Sequence, residues 1–193
     1  MDLAGFDRIW APVYGHPAWL VKKGHGSFLT LEFGTPELQT REPQVSSRAS
    51  SERVRALAAS RLVTVTGSWH LWIYCCHWSI TLNGEELAWS ESPDDAVTRA
   101  TRGIDGQKLL SVERGANPQS WVFGFDLGGE LKTWPYGDDP SVEQWFLYER
   151  DSGNVLAARA DGLISYGPGV RRPEETRWHP LSTGEAEPDT ETS

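Results

Sequence analysis

Three groups of residues in this chain have the types and spacing to do chemistry. Asp126, followed by Glu130-Leu131-Lys132, sets an acid ahead of a Glu-x-Lys. Two carboxylates can hold a divalent cation and the ammonium can place an attacking water, the makings of a metal-dependent hydrolase or nuclease. Cys75-Cys76-His77 offers a second possibility. In an extended chain Cys75 and His77 share a face and could supply two zinc ligands, with His16 or His25 completing the set. There is no second cysteine pair at structural-zinc spacing, so buried free thiols acting as small hydrophobes are the simpler reading. Neither a metal nor another cofactor is expected. The third group, His25-Gly26-Ser27, sets an imidazole near a hydroxyl but lacks the Gly-x-Ser-x-Gly elbow of an acyl-transfer nucleophile.

Recognition is better served than reaction. Trp134-Pro135-Tyr136-Gly137-Asp138-Asp139 places two aromatic rings beside two acids in a loop, the composition of an exposed contact patch. His70 and Trp72 fall on one face of an apolar run together with Tyr74, Cys76 and Trp78. By contrast, Asp126-Leu127-Gly128-Gly129 reads as a turn, and Glu130 and Lys132 alternate outward from the strand that follows. The expectation is therefore a binding protein, non-catalytic in leaning, with metal-dependent hydrolysis or nuclease action through Asp126, Glu130 and Lys132 as the alternative.

Composition narrows the partner. The chain has 193 residues and a formal net charge of −9, of which six acids against one Arg fall in 173–193. Basic pairs are confined to Lys22-Lys23 and Arg171-Arg172, too few to track a phosphate backbone, so nucleic acid is disfavoured and a basic protein partner is favoured. The two cysteines are adjacent in sequence, too close for ordinary disulfide geometry, which points to a reducing, cytoplasmic setting. No apolar run is long enough for a membrane span, and no secretion signal is evident. Oligomeric state is left open.

The elements that must position these residues are mostly strands. Short apolar alternations are punctuated by Gly-containing turns, and Asn83-Gly84 is a strong hairpin signal. Ser92-Pro93-Asp94-Asp95 opens a helix that ends near Gly103. Ser27-Phe28 and Glu37-Leu38-Gln39-Thr40 recur 93 positions later as Ser120-Trp121 and Glu130-Leu131-Lys132-Thr133, and Trp69-His70-Leu71-Trp72 is echoed by Trp145-Phe146-Leu147-Tyr148. The expected fold is mainly β, at the margin of α+β. Duplicated antiparallel meanders pack as a pseudo-twofold sandwich or barrel with two short helices. The expected layout is a lead-in at 1–16, a first module at 17–90 with an inserted loop and short helix at 42–60, a linking helix at 91–103, a second module at 104–167 and a flexible acidic tail at 168–193. Ten Trp need an account, and most should be core.

The runs Gly26–Gly34, Trp69–Cys76 and Phe125-Asp126-Leu127-Gly128-Gly129 resemble those of an uncharacterised family of small bacterial β-rich proteins. The stretch from Ile104 to Gly162 is similar to one-module bacterial proteins of unknown function, some regarded as toxin-immunity or accessory factors. The shared motifs are structural. The resemblance implies a binding or immunity-like role and carries no active site across.

Overall fold

The computed structural model describes residues 1–44 and 52–182. Its strands are β1 (Trp19–Lys23), β2 (Leu29–Phe33), β3 (Glu37–Arg41), β4 (Leu62–Thr66), β5 (Trp69–Ile73), β6 (Cys76–Leu82), β7 (Glu85–Trp89), β8 (Leu109–Arg114), β9 (Trp121–Phe125), β10 (Gly129–Pro135), β11 (Glu143–Glu149), β12 (Asn154–Arg159) and β13 (Ile164–Pro168). Sheet I has the order β1-β2-β5-β11-β12-β13, sheet II the order β7-β6-β10-β9-β8, and β3 with β4 forms a separate ribbon. All pairings between these strands are antiparallel. The fold is a mainly β sandwich and not a closed barrel.

Each sheet alternates inward apolar and outward polar or aromatic residues, as a sheet with one face on a core must. Leu29, Leu31, Leu71, Ile73, Trp145 and Leu147 point inward from sheet I, and Trp78, Ile80, Trp121, Phe123 and Leu131 from sheet II, all fully buried. Helix α1 (Leu3–Trp10) adds Phe6 and Trp10 to this core. Phe6 stacks on Trp121 at 5.3 Å, and Trp145 meets Trp121 edge to face at 5.1 Å and Trp10 at 5.8 Å. Such edge-on packing is what the ring quadrupoles prefer. The described residues also include α2 (Glu52–Ala58) and α3 (Asp94–Ile104). The sequence led to α2 and α3 but not α1, which is short and set by one cap: Asp2 Oδ1 accepts the Gly5 amide at 2.8 Å.

Pseudo-twofold order is visible in the topology. Sheet I without β13 and sheet II read in reverse are equivalent strand for strand, with β1, β2, β5, β11 and β12 matching β8, β9, β10, β6 and β7. Leaving β13 aside, each sheet thus takes three strands from one half of the chain and two from the other. Helices α1 and α3 match as well: buried Phe6, Val13, Ala18 and Val21 stand 91 positions before buried Val97, Ile104, Leu109 and Val112. Near the axis the bonds are reciprocal. Gly15 N donates to Leu109 O and Gly106 N to Ala18 O, while Ala18 N donates to Gln107 O and Leu109 N to His16 O. Gly15 and Gly106 both have positive φ, 83° and 90°, which glycine adopts without steric cost. Helix α3, expected as a linker, is the counterpart of α1.

The sequence echoes that led to this symmetry do not mark its true equivalents. Glu37–Thr40 lies in β3, in the ribbon, whereas Glu130–Thr133 lies in β10 within sheet II. The match to β10 is β5, and the ribbon replaces the tight turn Asp126-Leu127-Gly128 of the second half. Trp69–Trp72 and Trp145–Tyr148 are neighbours in sheet I rather than symmetry mates, whereas Trp78 and Trp145 hold equivalent places: Trp78 faces Thr133 as Trp145 faces Ile73. A further correction concerns Trp69–Cys76, which is not one strand. The chain breaks at Tyr74-Cys75 and crosses from sheet I to sheet II, held by Tyr74 N and Cys76 Sγ donating to Gln144 O at 2.7 and 3.3 Å.

The sequence leads to the expectation of a flexible tail at 168–193. Instead, residues up to 182 return to the body: His179 exchanges both backbone bonds with Ile164 on β13, Ser182 N donates to Met1 O and Leu3 N to Ser182 O. Trp178 sits beneath the Arg159 guanidinium, 4.8 Å from ring centre to Cζ. The remainder of the expected tail, 183–193, and part of the expected loop, 45–51, lie outside the described residues. No helix among the described residues is long and apolar enough to cross a membrane.

Candidate binding surfaces on the two outer faces

On the outer face of sheet II three aromatic rings gather round one histidine. His77 on β6 stacks with Trp134 on β10 at 5.6 Å, and meets Tyr136 at 4.9 Å and Trp89 on β7 at 6.0 Å. The register makes this contact: His77 pairs with Trp134, and Trp89 pairs with Ser79 two places along. His77 Nδ1 lies 3.0 Å from the Ser90 hydroxyl and 4.0 Å from Glu91 Oε1. Tyr136 is 68 % exposed and Trp89 38 %. Asp138 and Asp139 continue the rim, beside a cavity of about 280 Å³ shared by Tyr136, Cys75 and Val142. Hydrogen bonds from the Ser141 hydroxyl and amide hold the Asp139 carboxyl below its ordinary value, so the rim stays anionic.

Trp134, Tyr136, Asp138 and Asp139 are therefore brought together. His70 and Trp72 are not with them, because the crossing at Tyr74-Cys75 puts them on the outer face of sheet I. Trp72 packs there with Tyr74, Phe146 and Phe28 at 4.7 to 5.8 Å. His70 Nδ1 binds Glu32 Oε1 at 2.7 Å, and Glu32 Oε2 accepts the Gly67 amide at 2.8 Å with Arg150 at 3.7 Å. Glu32 is 6 % exposed. Burial pushes its carboxyl up, but the bonds from His70 and Gly67 and the nearby charges of His70 and Arg150 more than offset this and hold it below the ordinary value.

The nuclease-like grouping is not assembled. Asp126 Oδ1 accepts the Lys108 amide at 2.8 Å and closes the turn, while Glu130 and Lys132 pair with each other at 2.8 Å on the open face of sheet II. Among the described residues no group of three or more His, Cys, Asp or Glu is arranged to hold a metal ion. The zinc grouping is dispersed too. Cys75 lies at the crossing, His77 is among the rings, His16 leans on Trp69 at 5.3 Å, and both cysteines are free thiols, with Cys76 buried and its pKa raised by that burial.

Sequence reasoning missed Trp89, Glu91, Glu32 and Arg150. Trp89 reaches the cluster only through a bulge in the pairing of β6 with β7, and Glu32 is remote in sequence from both its side-chain partners. Family models, curated proteins and solved structures were all compared with this chain, and none matches it.

Proposed function

We propose that this chain is a non-catalytic, immunity-like intracellular binding protein whose outer sheet II face docks on a basic segment of another protein. The observation that carries this reading is the open cluster of Trp89, Trp134 and Tyr136 around His77, edged by Glu91, Asp138 and Asp139. Aromatic faces attract Lys and Arg through the ring quadrupole, and flanking carboxylates add charge complementarity that speeds encounter. Exposed rings of this size are also the residue types that dominate interface energetics. The two free cysteines suit a reducing compartment.

The test compares capture of partners by the native protein and by the Trp89→Ala/Tyr136→Ala double variant, each at low and high salt. The reading expects one saturable partner, lost with the double variant and weakened by salt and by Asp138→Asn/Asp139→Asn. A partner retained in full by the double variant would place the interface elsewhere.

A further inference from the structure

A second site lies on the opposite face of the sandwich, where the returning C-terminal segment passes over β11, β12 and β13. It encloses a cavity of about 150 Å³ between the sheet and that segment. Phe146, Val155 and Ala157 form the apolar part of a floor that Tyr148 and Ser165 complete, and Trp178 stands as one wall. A cavity of about this volume is large enough for a benzene ring.

The cavity has a charged side chain at each of its two ends. Arg171 lies at one, its guanidinium lodged against Gly167, where a Cβ would fall 2.3 Å from Nη1. Its side chain has no hydrogen-bond or ion-pair partner among the described residues, whereas Arg150, Arg159 and Arg172 each have a carboxylate. Glu143 lies at the other end. The register puts Glu143 opposite Arg159 and Gly167 opposite Val155, so the two ends are about 13 Å apart along β12 at about 3.3 Å per residue. An anion would seat at the Arg171 end, because Arg159 beside Glu143 is already paired with Asp161 and covered by Trp178. The segment that roofs the cavity is fixed, since His179 is paired with Ile164 and Trp178 with Arg159. The site is thus formed before any ligand arrives.

We infer that this cavity binds a small carboxylate with a ring-sized apolar body, its carboxylate on Arg171 and its body over Phe146, Val155 and Ala157. The site is separate from the sheet II surface and does not depend on that reading. A guanidinium can take a carboxylate through two parallel bonds, which a neutral amide cannot reproduce.

The experiment titrates the full chain with benzoate, benzamide and acetate by ligand-observed NMR and calorimetry. Benzoate should bind saturably and at least tenfold more tightly than either comparator, since benzamide lacks the charge and acetate the body. Arg171→Gln should bring benzoate down to the level of benzamide, and Ala157→Leu, which fills the floor, should abolish binding of both while circular dichroism stays native. Equal affinity for benzoate and benzamide, unchanged benzoate binding in Arg171→Gln, or absence of saturable benzoate binding to the native chain would each overturn the inference.

Discussion

The pseudo-twofold provides an internal control for the contribution of a single buried hydrogen bond. Trp78 and Trp145 occupy equivalent positions and both are fully buried. They differ at the indole nitrogen: Trp78 Nε1 donates to Ser27 O, whereas Trp145 Nε1 has no partner among the described residues. Replacing either by Phe removes about three ring atoms from the core, which costs about 2 kcal/mol at about 0.8 kcal/mol per carbon-sized group. At position 78 a hydrogen bond is lost as well and the Ser27 carbonyl loses its donor, adding about 1–2 kcal/mol. At position 145 the substitution removes a buried donor that was already unpaired, which returns about 1–2 kcal/mol. Trp78→Phe should therefore destabilise by about 3–4 kcal/mol and Trp145→Phe by about 1 kcal/mol or less. Denaturant unfolding followed by far-UV circular dichroism measures both without relying on the fluorescence of the remaining Trp residues. If Trp145→Phe costs as much as Trp78→Phe, the hydrogen bond is not what separates the two sites and the reasoning fails.

Three other outcomes are expected. Glu32 has a lowered folded pKa, so its contribution is present above the unfolded carboxylate value and is lost as pH falls through the folded one. Glu32→Gln should cost about 1–3 kcal/mol at neutral pH and flatten the acid limb of a stability–pH curve, whereas an acid limb as steep as the native one would assign that slope to other groups. Exchanging 35–66 for the Asp-Leu-Gly turn of the second half should leave a cooperative fold within about 1 kcal/mol of the native chain in thermal melts, as surface changes do, because Leu38, Val63 and Val65 of the ribbon are 72, 53 and 43 % exposed. Gly84→Ala should destabilise by about 1 kcal/mol in chemical denaturation although nothing lies within 4 Å of the added carbon, because φ is +83°.

What the sequence disclosed and what it hid follow one physical line. Alternation, turn residues and a Pro-Asp-Asp helix start act over a few residues, so the β class, the Asn83-Gly84 hairpin and α3 were legible. The crossing at Tyr74-Cys75 was not, because neither Gly nor Pro marks it. Its cause is distant, namely the Gln144 carbonyl that takes bonds from both sides of the break. Symmetry left only a faint trace in residue identity, since the core needs volume and not a given side chain: Leu29 answers to Trp121, and Ile73 to Thr133. The aromatic and acidic stretch at 134–139 was visible in composition, but Trp134 and Pro135, expected in a loop, end strand β10 because they pair with His77 and Cys76. Its neighbours Trp89 and Glu91 arrive through pairing between strands, which no local pattern reports.

The interleaving of the halves has a consequence for how the chain comes into being. Neither sheet can be completed from residues 1–90 alone, since three of the six strands of sheet I and three of the five of sheet II emerge later from the ribosome. The nascent amino-terminal half must wait with its apolar faces uncovered until β8 to β12 are synthesised. Acquisition of the native state is therefore governed by distant encounters and should be slow, with the waiting half a natural client for chaperones.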